Sequence, residues 1–349
     1  MRDLAGKKDE SFVVKLYEST RDFNPQIQRA MDEHKPDLFI LDHFIVPPAL
    51  PKSGIPWLYL FSGSPTAILD SPDLPPFTSG YSVNGDRTDW DEFRSYRKAF
   101  RDLYIKYQTL LYQEFDYEPT EEDFPLPRGS YPQCKYGYIY GYPEELDYHD
   151  VIRIPENYIR VDGFCRESTE PFQLPEGFRK ESEKLIFFSL GSMGGVDVEL
   201  MKRVTSILSK TPHKTIVSKG PLADEYELPE NCWGKGSLPQ MAILPMVDLV
   251  ITHGGNNTVT ETFSFGKPTI VLPMMGDQYD NAQRIQDKGF GRRLETYKFK
   301  EEELLDAVEK LINDEALKEK LQAAAKRIAT SNSKVKACER IEALAEKYA

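Results

Sequence analysis

At 349 residues the chain has room for two domains, each with its own core. Its 40% hydrophobic, 29% charged and 12% aromatic residues describe an ordinary globular protein and exclude a disordered, fibrous or membrane-embedded one. A net charge of −12 repels polyanions, which excludes nucleic acid and anionic lipid as main partners.

The first ten residues include Arg2, Asp3, Lys7, Lys8, Asp9 and Glu10, too many charges for a signal peptide, and no run of about 18 apolar residues follows. The sequence therefore predicts a cytoplasmic protein with no membrane partner. Cys134, Cys165, Cys232 and Cys338 stand singly, without metal-type pairing or a disulfide framework, which predicts buried or inert thiols in a reducing compartment.

Phe12, Leu16, Phe23, Ile27 and Met31 recur at helical spacing, interrupted by Pro25, which predicts one or two helices over 11–34. Asp37 to Asp42 follows as a strand whose centre, Leu38-Phe39-Ile40-Leu41, is apolar on both faces, as in a parallel sheet covered on two sides. A Pro-rich connection leads to a second strand, Ile55 to Phe61. Residues 70 to 132 are rich in Pro, Asp and aromatics around a helix at Asp89 to Gln113, a surface-forming insertion of the kind that lines ligand pockets. Strands near Tyr136 to Tyr140 and Tyr158 to Val161 close this half, and Gly163 to Glu183 reads as a linker.

The second half alternates regularly. Strands are predicted at Leu185 to Leu190, Lys214 to Ser218, Cys232 to Lys235, Val247 to Thr252 and Thr269 to Leu272, and helices at 196–209, 257–265 and 279–288. This is the pattern of βαβ units in a doubly wound parallel sheet, whose ligands sit at the carboxyl ends of the strands. Closing helices run from Lys300 to Asn313, Glu315 to Thr330 and Ser333 to Tyr348.

Within that half, the apolar run ending at Thr252 reads as a buried strand, and Gly254-Gly255 lets the chain turn tightly into a helix. Gly255, Asn257 and Thr258 then offer donors at a helix start suited to phosphate. His253 precedes this turn, and taken alone it also reads as a strand-end histidine that caps the turn. Glu261 lies three after Thr258, so Thr-Val-Thr-Glu fits a capping box as well as a ligand-binding carboxylate. Asp277 and Gln278 pair a charged acceptor with an amide that donates and accepts, a set suited to vicinal sugar hydroxyls, while Asp277 is equally placed to cap the next helix. Ser189-Leu190-Gly191-Ser192-Met193-Gly194-Gly195 is a strand-to-helix turn that fails the dehydrogenase pattern. Asp89-Trp90-Asp91 opens a helix and reads as capping rather than a metal motif, so no metal and no cofactor are expected.

These residues together resemble the UDP-glycosyltransferase family, clearly over Leu185 to about Arg293 and more weakly over Pro36 to Pro65. The resemblance implies an α/β fold of GT-B architecture: two Rossmann-like parallel-sheet domains facing a cleft, here with the N-terminal domain incomplete. The expected division is an acceptor-binding domain at 1–162, a linker at 163–183, a donor-binding domain at 184–331 and a closing helix at 332–349 that returns to the first domain. It further implies that His253 donates to the diphosphate of a UDP-sugar, that Glu261 takes the ribose hydroxyls, and that Gln240 with the Leu238 backbone grips uracil and ribose. Gly191 and Ser192 fall to the β-phosphate, and Asp277 and Gln278 to the sugar. Where the family usually carries an aromatic to stack on the base, two residues before Pro239, this chain has Ser237.

The activity implied is transfer of a hexose, glucose favoured, from UDP to a small lipophilic acceptor with inversion, as in detoxification. Asp42 matches the aspartate that orients the family's general-base histidine, although a cap on the following turn would also explain it. The Gly-His motif that carries the base would lie before residue 1, together with about three βα units of roughly 30 residues each. The expectation is thus a truncated, inactive form whose strand Leu38 to Leu41 is an exposed apolar edge. The alternatives are a non-catalytic UDP-sugar-binding protein completed by a partner chain, and an epimerase, for which no acid and base carboxylates can be identified.

Overall fold

The computed structural model describes residues 10–165 and 171–348; residues 1–9, residues 166–170 of the expected linker and Ala349 lie outside that description. The chain divides into two compact units, one from Met1–Gly141, Tyr148–Val161 and Asn332–Ala349, the other from Tyr142–Asp147 and Asp162–Ser331.

In the first unit, helix α1 (Glu10–His34) runs unbroken through Pro25, so the expected interruption does not occur. Pro25 lies on the exposed face, where the carbonyl it leaves without an N–H donor faces solvent. Buried Asn24 beside it accepts from the Ala49 backbone N–H at 2.9 Å, which seats α1 on the short helix α2 (Ala49–Ser53).

Strands β1 (Phe39–Leu41), β2 (Trp57–Phe61), β3 (Tyr138–Gly141) and β4 (Tyr158–Val161) form a parallel sheet in that order, and α3 (Thr88–Glu114) lies between β2 and β3 in sequence. Burial of β2 and β3 is nearly complete. Strand β1 is the outer strand and Ile40 is 50% exposed, as expected of an apolar edge; the cover on both faces that its apolar run suggests by itself is not found. Helix α3 buries Trp90, Tyr104, Gln108 and Leu111, and the Gln108 amide donates to the Val46 carbonyl at 3.0 Å. Asp89-Trp90-Asp91 occupies the first turn of α3, where Asp91 pairs with Arg94 at 3.2 Å.

The second unit follows β5 (Leu185–Ser189), α4 (Gly191–Gly194), α5 (Val198–Leu208), β6 (Lys214–Ser218), β7 (Cys232–Lys235), α6 (Gln240–Ile243), β8 (Leu249–Thr252), α7 (Asn256–Ser264), β9 (Thr269–Val271), α8 (Gln278–Asp287), β10 (Gly291–Arg293), α9 (Glu301–Asn313) and α10 (Glu315–Ala329). Its parallel strands lie in the order β10-β9-β8-β5-β6-β7, so the winding reverses between β5 and β8. Alternate residues feed separate cores on the two faces, Ile186 and Phe188 one, Leu185 and Phe187 the other. Strand β10 is absent from the sequence reading because Gly-Arg-Arg carries no strand signal; Gly291 is required there, since a Cβ would come within 2.2 Å of the Thr269 carbonyl. The short helices α2, α4 and α6 are likewise not part of the sequence reading, and elsewhere element ends shift by one or two residues, the usual scatter of boundaries.

The final helix, α11 (Ser333–Tyr348), belongs to the first unit and packs on β4, with Tyr348 edge-on to Tyr136 at 5.1 Å. Burial raises the Cys134 thiol to about 12 and the Cys232 thiol to about 11, which disfavours the reactive thiolate in both; Cys338 is exposed. Among the described residues, no helix is long and apolar enough to cross a membrane.

Segment 142–147 is held into the second unit by two arginines. Buried Arg284 of α8 donates to the carbonyls of Leu146 (2.8 Å) and Asp147 (2.6 Å). Arg327 of α10 binds Glu145 at 2.6 Å and buried Asp162 at 2.7 Å. Removing the guanidinium in Arg327→Met would take its ion pair from the buried Asp162 carboxylate. The expected loss of stability is on the order of 2–3 kcal/mol, below the value for a fully buried pair because Arg327 is 31% exposed. Urea unfolding that gives the same midpoint for variant and parent would contradict this.

Candidate functional site

Because β5 and β8 are neighbours at the reversal of winding, the turns that follow them meet. Strand β8 is wholly buried and ends at Thr252. Gly254 then adopts φ +84°, and a Cβ there would strike Val271 at 2.5 Å, so only glycine makes this turn. Gly255 is the N-cap of α7, and no side chain caps that helix. The amides of Asn257 and Thr258 lie in its first turn, where the helix itself supplies no acceptor. Asn257 is exposed and Thr258 half-buried.

His253 links the two turns. Its ring lies against Gly191, where a Cβ would approach Cε1 at 2.9 Å, and against Gly255, where a Cβ would approach Nε2 at 2.5 Å. Two glycines, one from each turn, make the slot for one imidazole. Burial pushes the His253 pKa down to about 4, so the ring is neutral near pH 7. The Thr252 hydroxyl lies 3.2 Å from Nδ1 and accepts from the Gly254 N–H at 3.4 Å. The hydroxyl can give its hydrogen to Nδ1, and in that tautomer the ring proton sits on Nε2. Ser192 follows Gly191 in the short helix α4 and is exposed.

Glu261 is buried inside α7 and accepts from the Gln240 amide at 2.5 Å. The capping-box alternative fails, since the helix begins at Asn256 and Glu261 falls in its second turn. Leu238 packs into the core beneath this segment. Ser237 is exposed, and Trp233 packs against the same core with its ring 5.9 Å from Phe172.

Asp277 precedes α8 but makes no capping bond; its Oδ2 accepts from Asn281 at 3.1 Å. Gln278 is buried, and its carbonyl accepts from the N–H groups of Met274 (2.9 Å) and Met275 (3.0 Å). Its acceptor side is thus committed to the backbone. Asn281 was not singled out as a site residue, yet it organises the region: its amide donates to the Gly254 carbonyl at 2.9 Å and its carbonyl accepts from Tyr142 at 3.1 Å. The available signal was its i+4 spacing from Asp277 on one helix face.

The structure thus gathers Gly191, His253 and Gly255 into one contact, Gln240 and Glu261 into a second, and ties α8 to the His253 turn through Asn281. Asp42 belongs to the first unit, exposed at the end of β1. Next to it, His43 is half-buried, edge-on to Phe23 at 5.3 Å, with Nδ1 3.1 Å from the Ile45 carbonyl.

Residues 149–326 match the family described as UDP-glucoronosyl and UDP-glucosyl transferase, more than half of the chain, and the chain belongs to that family. A sterol 3-beta-glucosyltransferase of Vanderwaltozyma polyspora is 30% identical over 207 residues, which cover 55% of this chain and 16% of that protein. An uncharacterized UDP-glucosyltransferase of Bacillus subtilis, YojK, is 21% identical and aligns over 99% of this chain and 83% of its own length. The match spans only 14 to 17% of the fungal sterol 3-beta-glucosyltransferases that head the curated relatives. Among solved structures, the glycotransferase of kitacinnamycin superposes with a TM-score of 0.72 at 20% identity, covering 97% of this chain and 83% of that one, which shows the shared fold.

The depressed pKa of His253 has a signed consequence. Unfolded histidine binds a proton near pH 6.5 and the folded ring only near 4, so between those values the unfolded state holds more protons and stability falls as pH falls. His253→Asn is expected to lose less stability than the parent between pH 6.5 and 4, by roughly 2–3 kcal/mol. Equal pH slopes in urea titrations of the two proteins would refute the buried, neutral assignment.

Proposed function

We propose that the second unit binds a UDP-hexose, glucose favoured, and that the chain transfers the hexose to a small lipophilic hydroxyl compound with inversion. The observation that carries this reading is the neutral His253 ring beside the uncapped start of α7, with the Gln240–Glu261 pair one turn further on. His253 Nε2–H and the amides of Asn257 and Thr258 take the diphosphate, with Gly191 and Ser192 at the β-phosphate. Glu261 keeps acceptor capacity for ribose hydroxyls while Gln240 fixes its orientation, and the Leu238 backbone meets the base. Asp277 accepts from the sugar, and Gln278 contributes its amide hydrogens, because its carbonyl is already used.

The chemistry follows from where charge develops. As the anomeric bond breaks, negative charge builds on the departing UDP, and fixed donors at a helix start and on a neutral imidazole stabilise it without reorganising. Asp42 would orient a base in the first unit. Family membership and the sterol glucosyltransferase names among its relatives support glucose and a lipophilic acceptor; a cytoplasmic role in conjugating foreign lipophiles fits both.

One observation favours a second reading, a UDP-sugar-binding protein without turnover: His43, the histidine beside Asp42, keeps its Nδ1 at the Ile45 backbone. UDP calorimetry on the parent and His253→Ala tests the donor site, with affinity expected to fall about 10-fold, the worth of one strong hydrogen bond to phosphate. Unchanged affinity would remove His253 from the site. UDP release from UDP-glucose that rises on adding a sterol supports transfer, whereas UDP-induced thermal stabilisation without release supports the second reading.

A further inference from the structure

Helix α3 carries Arg94, Arg97, Lys98 and Arg101 at i, i+3, i+4 and i+7, the spacing that puts side chains on one helix face. In an amphipathic helix that stripe is ordinarily apolar. Here it is cationic, and it forms one wall of a cavity of about 390 Å³ within the first unit, the size of a small-molecule site. The facing walls come from Pro76, Phe77, Pro125 and Pro127, with Phe100 and Tyr104 of α3 between them. Arg128 adds a fifth cation, and no Asp or Glu lines the cavity, although acidic residues outnumber basic ones by 56 to 44 in the chain.

The charges are incompletely answered. Arg94 pairs with exposed Asp91, and Arg128 lies 3.6 Å from Asp70. Lys98 and Arg101 have no ion pair among the described residues; Arg101 gives one N–H to the Pro125 carbonyl at 2.7 Å, and its Nε is buried with no acceptor. Like charges three and four apart repel along a helix, so an anion beside Lys98 and Arg101 would relieve that repulsion. Inorganic anions alone would leave the proline and phenylalanine walls wet. We propose that this cavity binds an apolar molecule bearing a single anionic group such as a carboxylate, its body against Phe77, Phe100 and Pro125 and its charge on Lys98 and Arg101. This goes beyond the UDP-sugar reading and needs none of it, since every lining residue lies in the first unit.

Calorimetry on the full chain, without nucleotide, compares sodium decanoate with decan-1-ol and sodium acetate. Decanoate is expected to bind one per chain at least 10-fold more tightly than decanol, with no saturable acetate binding. Lys98→Glu, at an exposed position, is expected to weaken decanoate about 10-fold and leave UDP affinity unchanged; Arg101→Gln should act in the same direction. Equal affinities for decanoate and decanol, or decanoate binding indifferent to Lys98→Glu, would overturn the proposal. So would capture by phosphatidylserine vesicles without saturable decanoate binding, which would make the stripe a lipid-surface contact. Loss of UDP binding in the parent would sink the donor-site reading and leave this one standing.

Discussion

The imidazole of His253, wedged between the α-carbons of Gly191 and Gly255, is the contact on which the second unit's site depends. It exists because the sheet reverses its winding between β5 and β8, which brings two strand-to-helix turns side by side. A side chain at either glycine would fill the slot, and a charged ring would oppose its own burial. The same geometry keeps the ring neutral and holds its Nδ1 at the Thr252 hydroxyl. What a lone histidine in a sequence leaves open, its packing and its protonation, is decided here by two missing methyl groups and by burial.

Around that contact the polar groups brace each other before any ligand arrives. Gln240 orients Glu261, Gln278 is bound through its carbonyl to the loop before it, and Asn281 joins the Gly254 carbonyl to Asp277 and Tyr142. Each bond removes rotamer freedom that binding would otherwise have to remove, which is the advantage of preorganisation. It also divides the labour chemically. A glutamine whose carbonyl is committed becomes a donor only, and a carboxylate holding one amide still has lone pairs to offer.

The alternation of strands and helices made the second unit legible, because buried parallel strands are continuous apolar runs and the intervening helices have their own period. His253, Gly255 and Glu261 were readable for the same reason, being local to one strand, turn and helix. What escaped was settled at long range. Gly291 starts a strand only because Thr269 lies beside it, Gln240 meets Glu261 across 21 residues, and Asn281 matters through a carbonyl 27 residues away. Pro25 was read by its local rule, yet an exposed position let the helix continue. The apolar run around Ile40 suggests cover on both faces, whereas its exposure follows from the strand's place at the sheet edge, which periodicity does not report.

Charge works at two ranges in this molecule. The net −12 acts on partners large enough to sense the whole surface, and beyond about 8 Å salt screens it. A small ligand within a cavity instead meets the nearest donors at shorter range and in a lower dielectric, where one or two groups outweigh the distant remainder. On the two proposals made above, an acidic protein holds anions in two ways: by backbone amides and a neutral histidine in one unit, and by a cationic helix face in the other. In the first way the donors carry no charge of their own, so they need no counter-ion when empty. The second keeps its charges half in water, which is why it lies along a solvent-bordered helix rather than at the buried end of a sheet.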